Sequence, residues 1–349
     1  MQNDCDVVLS SRVRFARNVE DCPFPGWASR LNQEEVRGKV RKALRRMGHA
    51  EGWKEWGKVD DGERTRMAER HVVSYEMVDG TDSAGVWVSG DGRVSVMVNE
   101  EDHLRIQGLV KGYDVRGAWG LAKGMERGLA GELEFAYSRR LGFLTACPSN
   151  VGSGMRASVM VHLAGLALSG EVESSIRGVE RMGYVARGVN GEDSDSLGEV
   201  FQISNTGTLG KSEGEVLAGL EEVVGELIRQ ERWARQFLAD EDLLVVEDCV
   251  ARALGVVGAA RLMTSAEGLA FLSAVRLGAA MGIVEGAREG ELEEAMVLIQ
   301  PAHLARSTGD ARVLSREHDH VRDSRRAEMM RNMFSRYRLK NLTQKDKVT

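Results

Sequence analysis

Apolar and polar positions alternate in short segments through the first part of the chain, as they do in half-buried strands. Residues 7–30 begin as such a strand and end in a proline-punctuated loop. The valine-rich runs of 83–99 flank a Gly-Asp-Gly turn, which predicts a hairpin, and 31–47, acidic first and basic last, predicts a helix. The other segments expected to be extended are 71–76, 143–147, 172–176, 183–186 and 200–205. Helical periodicity predicts helices over 113–137 and 156–169.

The pattern becomes helical at Ser212, whose spacing to Glu215 is that of a capping box ahead of an amphipathic face. Thr264 and Glu267 open another helix in the same way, and no convincing strand is found over 240–337. Strands and helices of mixed order around hairpins predict the α+β class rather than a doubly wound parallel sheet. We therefore expect a first domain over 1–238 and an all-helical second domain over 239–349.

Composition narrows the classes of protein that fit. The 349 residues are 42% hydrophobic and 29% charged, with 47 basic and 53 acidic side chains and a net charge of -6. This charge argues against nucleic acid and anionic membranes as partners, and no apolar stretch reaches the roughly 18–20 residues of a spanning helix, so a cytoplasmic protein is expected. The four cysteines lack CxxC spacing, and His71 and His103 lack ligand-spaced partners, so neither a disulfide framework nor a metal site is expected.

Four segments place arginines beside glycine- or serine-bearing loops: SSRVR (10–14), NEEDHLR (99–105), GSGMRAS (152–158) and RGVNGE (187–192). Guanidinium groups stay charged and make bidentate contacts to phosphate oxygens, and the chain has neither GxxxxGK[ST] nor GxGxxG. Any one of these arginines alone is more often a surface salt bridge. Four such segments together favour a nucleotide site built from arginines.

Two further features are open to a structural or a functional interpretation. The acidic triplet 100–102 is either a solvated strand end or a group of carboxylates that holds and deprotonates a cationic acceptor. Cys147 is either a core cysteine or a reactive thiolate near positive charge, and the residues alone favour the core.

These motifs in this order resemble the phosphagen (guanidino) kinase family, and specifically its bacterial branch of protein arginine kinases. The resemblance covers essentially the whole chain and is carried by SSRVRFARN (10–18), PFP (23–25), VNEEDHLRI (98–106), LTACPSNVGSGMRASVMVHL (144–163), RGVNGE (187–192) and ISNTGTLG (203–210). It implies a catalytic domain with an antiparallel sheet flanked by helices, followed by a helical dimerisation domain. It also implies ATP as the phosphoryl donor, with Mg²⁺ carried by ATP and no metal held by the protein.

The resemblance also implies roles for particular residues. Glu101 and Glu192 match the carboxylates that clamp the acceptor guanidinium, and Cys147 matches the family's active-site cysteine, which overrules the preference for the core. The residues that match ATP-binding segments are Ser10, Ser11, Arg12, Val13, Arg14, His71, Arg105, Arg156, Ala157, Ser158, Val159, Met160, Arg187, Gly188, Val189, Asn190, Gly191 and Glu192.

The acceptor is expected to be arginine in proteins. Family members that act on small guanidines carry an additional helical domain before SSRVR, whereas that motif starts here at residue 10. RDSRRA fits the RDxxRA motif of protein arginine kinases, which implies an allosteric phosphoarginine pocket formed by Arg322, Asp323, Ser324, Arg325, Arg326 and Ala327.

The resemblance further implies a homodimer, a zinc-binding activator, a Clp-type protease that degrades the marked proteins, and control of a stress-gene repressor. The alternatives are a kinase for free arginine or another small guanidine, and a degenerate adaptor that only binds phosphoarginine.

Overall fold

The computed structural model describes residues 4–188, 197–288, 290–309 and 319–340. The strands are β1 Val8–Arg17, β2 Trp53–Glu55, β3 Gly85–Val88, β4 Val94–Val98, β5 Leu104–Lys111, β6 Tyr137–Ser138, β7 Gly142–Phe143, β8 Met155–His162, β9 Tyr184–Gly188, β10 Val200–Asn205, β11 Val284–Glu285 and β12 Arg338–Leu339. The helices are α1 Arg30–Arg46, α2 Asp61–Glu69, α3 Tyr75–Val78, α4 Val115–Ala130, α5 Ala164–Leu168, α6 Val172–Arg181, α7 Glu213–Glu241, α8 Leu243–Ala259, α9 Ser265–Ala280, α10 Glu291–Leu298, α11 Pro301–Thr308 and α12 Asp319–Phe334.

The main sheet has eight strands in the order β2-β3-β4-β5-β1-β8-β10-β9. Every neighbouring pair is antiparallel, with β1 between β5 and β8 near the middle. On one face of this sheet the apolar side chains of Val13, Phe15, Val159 and Ile203 form a buried core with α4 and α7. This architecture confirms the α+β class and the antiparallel sheet flanked by helices.

Helix α4 lies against the sheet at very short range because β5 carries a glycine where the two meet. A Cβ on Gly108 would lie 2.2 Å from the carbonyl oxygen of Ala118, a distance that no side chain tolerates. A larger residue here would push the helix away from the strand that carries part of the candidate site.

The helical C-terminal region has its own buried core, formed by apolar residues of α8, α9, α10 and α12. Both capping boxes are confirmed: Ser212 opens α7 with Glu215, and Thr264 opens α9 with Glu267. Helix α7 is 29 residues long and runs past the boundary expected at 239. The short pairing of β11 with β12 shows that the region is not wholly helical. None of the described helices is long and apolar enough to span a bilayer.

The prediction of a helix over 156–169 is wrong for most of its length, because residues 155–162 form β8. This strand is bonded to β1 on one edge and to β10 on the other, and only the following 164–168 is helical. The run ASVMV (157–161) within β8 is almost continuously apolar, and periodicity alone does not distinguish such a run from a buried helix.

Three predicted strands are also wrong. Residues 172–176 belong to α6, whose apolar positions 172, 176 and 179 have helical spacing. Residues 71–76 form a turn and the start of α3, where the Ser74 side chain accepts from the backbone N–H of Met77. Over 143–147 only Phe143 is extended, in the two-residue β7. In the last two cases turn contacts and a side chain replace the strand ladder: the His71 N–H donates to the carbonyl of Ala68, and the Ala146 N–H donates to Asp102 Oδ1.

Candidate active site

A cavity of about 670 Å³ opens on the sheet face opposite α4 and α7. In an antiparallel sheet, directly paired residues point to the same face. Arg14 pairs with Arg156, and Gln202 pairs both with Met160 and with Arg187. The strand register therefore collects on one face arginines that are far apart in sequence.

Five arginines and two glutamates are among the described residues that line this cavity. The arginines are Arg12, Arg14, Arg105, Arg156 and Arg187, and the glutamates are Glu76 and Glu101. Several arginine contacts are to neutral groups: Arg12 donates to the side-chain oxygen of Gln202 at 2.5 Å, and Arg156 donates to Ser204 Oγ at 3.0 Å. The described cavity thus carries a surplus of positive charge.

Burial and mutual repulsion act together on these guanidinium groups. Burial, followed by the charges of Arg105 and Arg156, lowers the pKa of Arg12 to about 10. Burial and the neighbouring charges of Arg12, Arg105 and Arg156 lower the pKa of Arg14 well below its usual value. A polyanion would relieve this repulsion, since it would add negative charge to that of Glu76 and Glu100, which offsets the repulsion only in part among the described residues.

His71 lines the same cavity from the end of α2. Its φ is +57°, and its backbone carbonyl accepts a hydrogen bond from Gln107 Nε2 at 2.7 Å. Burial, together with the charges of Arg12 and Arg14, lowers the pKa of His71 to about 4. The imidazole is therefore neutral at physiological pH and can accept or donate a hydrogen bond in the cavity.

The acidic triplet divides into three roles. Glu100 is nearly buried and holds Arg105 through an ion pair of 2.6 Å. Glu101 lies 3.3 Å from Arg105, and its side chain is 43% exposed toward the cavity. Burial raises the pKa of Glu101. The attraction of Arg105 lowers this pKa, and the repulsion of nearby carboxylates raises it further. Glu101 is thus the carboxylate of the triplet that is available to a bound molecule.

Asp102 connects the acidic triplet to the loop that carries Cys147. Its Oδ1 accepts hydrogen bonds from Asn18 Nδ2 at 2.7 Å and from the backbone N–H of Ala146 at 2.6 Å. Cys147 is half-buried, lines the cavity and has its Sγ 3.0 Å from Ser149 Oγ. The cysteine therefore lies at the site rather than in the core that the residues alone favoured.

Strand alternation also separates the predicted ATP-binding segments into two groups. Val13, Ala157 and Val159 belong to the apolar core, and Ser11 is buried with its Oγ donating to the carbonyl of Gly112 at 2.9 Å. Ser10 and Ser158 alternate with these core residues and therefore lie on the sheet face that carries the cavity, although they do not line it. Met160 and Gly188 do line it. Val189, Asn190, Gly191 and Glu192 lie outside the described residues.

Sequence reasoning missed several lining residues: Ser74, Tyr75, Glu76, Asn150 and Gln202. Gln202 offered a signal, because it is a polar residue within the strand VFQIS at the parity of the cavity face. The others lie on loops or at helix ends, where no periodicity indicates direction.

RDSRRA lies on α12, away from this cavity. Arg326 is fully buried and donates to the carbonyls of Ile299 at 2.9 Å and Met263 at 2.6 Å, and to Asp323 Oδ1 at 2.6 Å. Arg322 is half-buried and pairs with Asp319, Arg325 and Ser324 are exposed, and Ala327 is part of the helical core. Arg326 therefore connects α12 to the C-terminal end of α10 and to the residue that precedes the N-cap of α9.

The cavity combines a surplus of positive charge, which suits a polyphosphate, with an accessible carboxylate, which suits a cationic acceptor, as a phosphotransferase with such an acceptor requires. Two family models match the chain: "ATP:guanido phosphotransferase, C-terminal catalytic domain" over residues 35–234, and "Protein-arginine kinase McsB C-terminal domain" over residues 244–347. The chain belongs to the ATP:guanido phosphotransferase family.

Similar proteins agree with this assignment. The chain is 40% identical to the protein-arginine kinase of Halothermothrix orenii, covering 95% of this chain and 93% of that protein. It is 39% identical to the protein-arginine kinase of Symbiobacterium thermophilum, covering 95% and 94%. Among solved structures, a lombricine kinase matches with a TM-score of 0.56 and 28% identity, over 66% of this chain and 68% of that one.

Proposed function

We propose that this enzyme transfers the γ-phosphoryl group of ATP to arginine side chains of proteins. The observation that carries the proposal is one cavity that holds five arginines, Glu101 and Cys147 together. The similarity to protein-arginine kinases over 95% of the chain supports arginine in proteins as the acceptor. The match of residues 244–347 to a protein-arginine kinase domain supports the same choice.

The arginines of the sheet face are the proposed phosphate grip. Arg12, Arg14 and Arg156 lie side by side on β1 and β8, so that their guanidinium groups can contact the triphosphate along its length. Because they stay charged, they stabilise the negative charge of the transferring phosphoryl group without a proton transfer. The phosphates of ATP would neutralise the surplus of positive charge in the cavity.

Mg²⁺ is proposed to accompany the nucleotide. The described residues contain no cluster of three histidine, cysteine or acidic side chains that could hold a metal ion. The arginines that line the cavity are suited to phosphate rather than to a cation, so the ion would be held through the phosphates of ATP. When bound with ATP, whose phosphates Arg12, Arg14 and Arg156 would hold, Mg²⁺ would supply positive charge that stabilises the transferring phosphoryl group.

Glu101 is proposed to hold and deprotonate the acceptor. An arginine side chain has a pKa above about 12 and is a poor nucleophile until it loses a proton. The Glu101 carboxylate can accept this proton while the guanidino nitrogen forms a bond to the γ-phosphorus and the bond from phosphorus to the bridging oxygen of ADP breaks. Glu192 is proposed as the second carboxylate and lies outside the described residues. Cys147 is proposed to lie beside the acceptor guanidinium.

The chain is proposed to have a catalytic domain over 1–238 and a dimerisation and sensing domain over 239–349. Arg322, Asp323 and Arg326 are the proposed phosphoarginine site of the second domain. Two features support this site: Arg322 is partly accessible, and Nη2 of the buried Arg326 has no hydrogen-bond partner among the described residues. A homodimer, a zinc-binding activator, delivery of marked proteins to a Clp-type protease and control of a stress-gene repressor are proposed from the family resemblance.

The test is incubation of the purified protein with Mg²⁺-ATP and either an arginine-rich protein or free arginine. Products are analysed at neutral pH by mass spectrometry, because a phosphorus–nitrogen bond is acid-labile. Phosphoarginine in the protein and none in free arginine is the expected result, with Glu101→Gln as the inactive control. Phosphorylation of free arginine alone would refute the proposed acceptor. If phosphoarginine forms on neither acceptor, whether or not ATP binds, the proposed transferase activity is refuted for the enzyme without its activator.

A further inference from the structure

The C-terminal end of α2 is bonded to the N-terminal end of α11, across more than 230 residues of sequence. Glu69 Oε1 accepts from the backbone N–H of Ala302 at 2.7 Å, and Oε2 accepts from the backbone N–H of His303 at 3.1 Å. Oε2 also lies 2.5 Å from His303 Nδ1. Both side chains are at least 95% buried. A carboxylate at the start of a helix satisfies N–H groups that have no partner within that helix.

Arg70, the next residue, makes a second contact with the same histidine. Its Nε donates to His303 Nε2 at 2.9 Å, and its Nη2 lies 3.1 Å from Glu294. Because Nε2 accepts here, the remaining ring proton of His303 is assigned to Nδ1, where it is donated to Glu69. The imidazole is thus held from both sides by two consecutive residues of the catalytic domain.

Glu69 and Arg70 directly precede His71, whose imidazole lines the nucleotide cavity. His71 has a left-handed backbone with φ of +57°, which a residue with a Cβ adopts at a cost. Such a conformation persists only where the surroundings impose it. The hydrogen bond from Gln107 to the His71 carbonyl is one such constraint, and the attachment of Glu69 and Arg70 to His303 is another.

We propose that Glu69 and His303 are positioning residues, through which the C-terminal helices hold His71 in place for nucleotide binding. This inference rests on the proposed function of the cavity as an ATP site. The C-terminal region would then be part of the nucleotide-binding machinery, in addition to any sensing role, although none of its described residues lines the cavity.

The same junction is connected to RDSRRA. Arg326 Nε donates to the carbonyl of Ile299, and the next residue, Gln300, is the N-cap of α11. The helix that presents Ala302 and His303 to Glu69 is therefore anchored at its start by the buried arginine of α12. Two residues separate the Arg326 contact from the Glu69 contact. A shift of α11 would reach His71 through few intervening groups.

The test compares His303→Ala with Tyr337→Phe. The control removes a hydrogen bond of the C-terminal region, from Tyr337 Oη to Glu291, that does not involve α2. For both variants we would measure the Tm, the Kd of a fluorescent ATP analogue, and KM for ATP and for a protein acceptor. We expect His303→Ala to raise the Kd and KM for ATP about tenfold, because a hydrogen bond to a charged group contributes at this level. KM for the acceptor should change less than twofold, and Tyr337→Phe should leave ATP affinity unchanged.

Unchanged ATP affinity in His303→Ala would overturn the inference, because the contact would then only join the two parts of the chain. A similar loss of ATP affinity in Tyr337→Phe would also overturn it, since the effect would follow general destabilisation. If His303→Ala does not fold, Glu69→Gln keeps the shape and one acceptor oxygen, and the same rise in the Kd for ATP is expected. Failure of the wild-type protein to bind ATP would instead refute the proposed function, and this inference with it.

Discussion

Replacement of Arg14 by glutamine is expected to stabilise the empty enzyme while weakening its binding of ATP. Arg14 lies directly across from Arg156 on the neighbouring strand. Its side chain makes no hydrogen bond or ion pair within the described ranges of the chain, and burial with three neighbouring arginines lowers its pKa. The guanidinium therefore contributes repulsion and desolvation to the folded state, with little compensation before a phosphate arrives.

The size of this repulsion follows from the strand geometry. Residues directly opposite in an antiparallel pair have Cβ atoms about 5 Å apart, and two unit charges at that distance repel by roughly 3 kcal/mol at an effective dielectric constant near 20. Long side chains bend away from each other, so that about 1–2 kcal/mol is a reasonable net value. Removal of the charge in Arg14→Gln should raise the Tm of the empty protein by about 2–4 °C.

Binding of ATP should change in the opposite direction. Charge-assisted hydrogen bonds contribute about 1.5–3 kcal/mol, so loss of the Arg14 guanidinium should weaken ATP binding roughly 10- to 150-fold. Differential scanning calorimetry of the empty protein and calorimetric titration with Mg²⁺-ATP would measure both quantities. Arg93→Gln is the matched control, because Arg93 is exposed and pairs with Asp91 outside the cavity.

A lower Tm together with unchanged ATP affinity would refute the reasoning. That outcome would mean that Arg14 stabilises the fold and does not contact the nucleotide. A stability gained at the expense of binding is the pattern expected where a site is built for its ligand rather than for the fold.

Four further outcomes follow from the structure. Glu101→Gln should lower kcat by roughly 10²- to 10⁴-fold with ATP affinity unchanged by titration, and near-normal turnover would exclude Glu101 as the base. Because burial raises the pKa of Glu101, the acid limb of kcat/KM should lie above the ordinary carboxyl range, and a limb at or below that range would contradict this. The pKa of His71 is lowered to about 4 in the folded protein, so the unfolded state gains a proton first as the pH falls. The free energy of unfolding of the wild-type protein, measured by urea titration, should therefore decrease from pH 6.5 to pH 4, and it should decrease less in His71→Gln. Arg326→Met, which removes a buried guanidinium that donates to Asp323 and to the carbonyls of Ile299 and Met263, should lower the free energy of unfolding by about 3–5 kcal/mol by the same method. The exposed Arg325→Ala should lower it by under about 1 kcal/mol.

Local signals were sufficient for several elements. The capping boxes at Ser212 and Thr264 open α7 and α9, since a cap is decided by side chains within one turn of the helix. The hairpin around Gly92 is present for the same reason: its φ of +71° is one that glycine adopts readily. Where the outcome depended on distant partners, as for 156–169 and 71–76, pattern alone was wrong.

The sequence by itself determined the residue types of the candidate site: arginines in four segments, an acidic triplet and Cys147. The longer motifs that contain them resemble those of guanidino kinases. Only the tertiary structure decided which of them meet. The register of β1, β8, β10 and β9 separates Arg12 and Arg14 from Ser11 and Val13, because alternate residues of a strand point to opposite faces. The contact of Glu69 with His303 depends on the packing of α2 against α11, and no local pattern encodes a pair so distant along the chain.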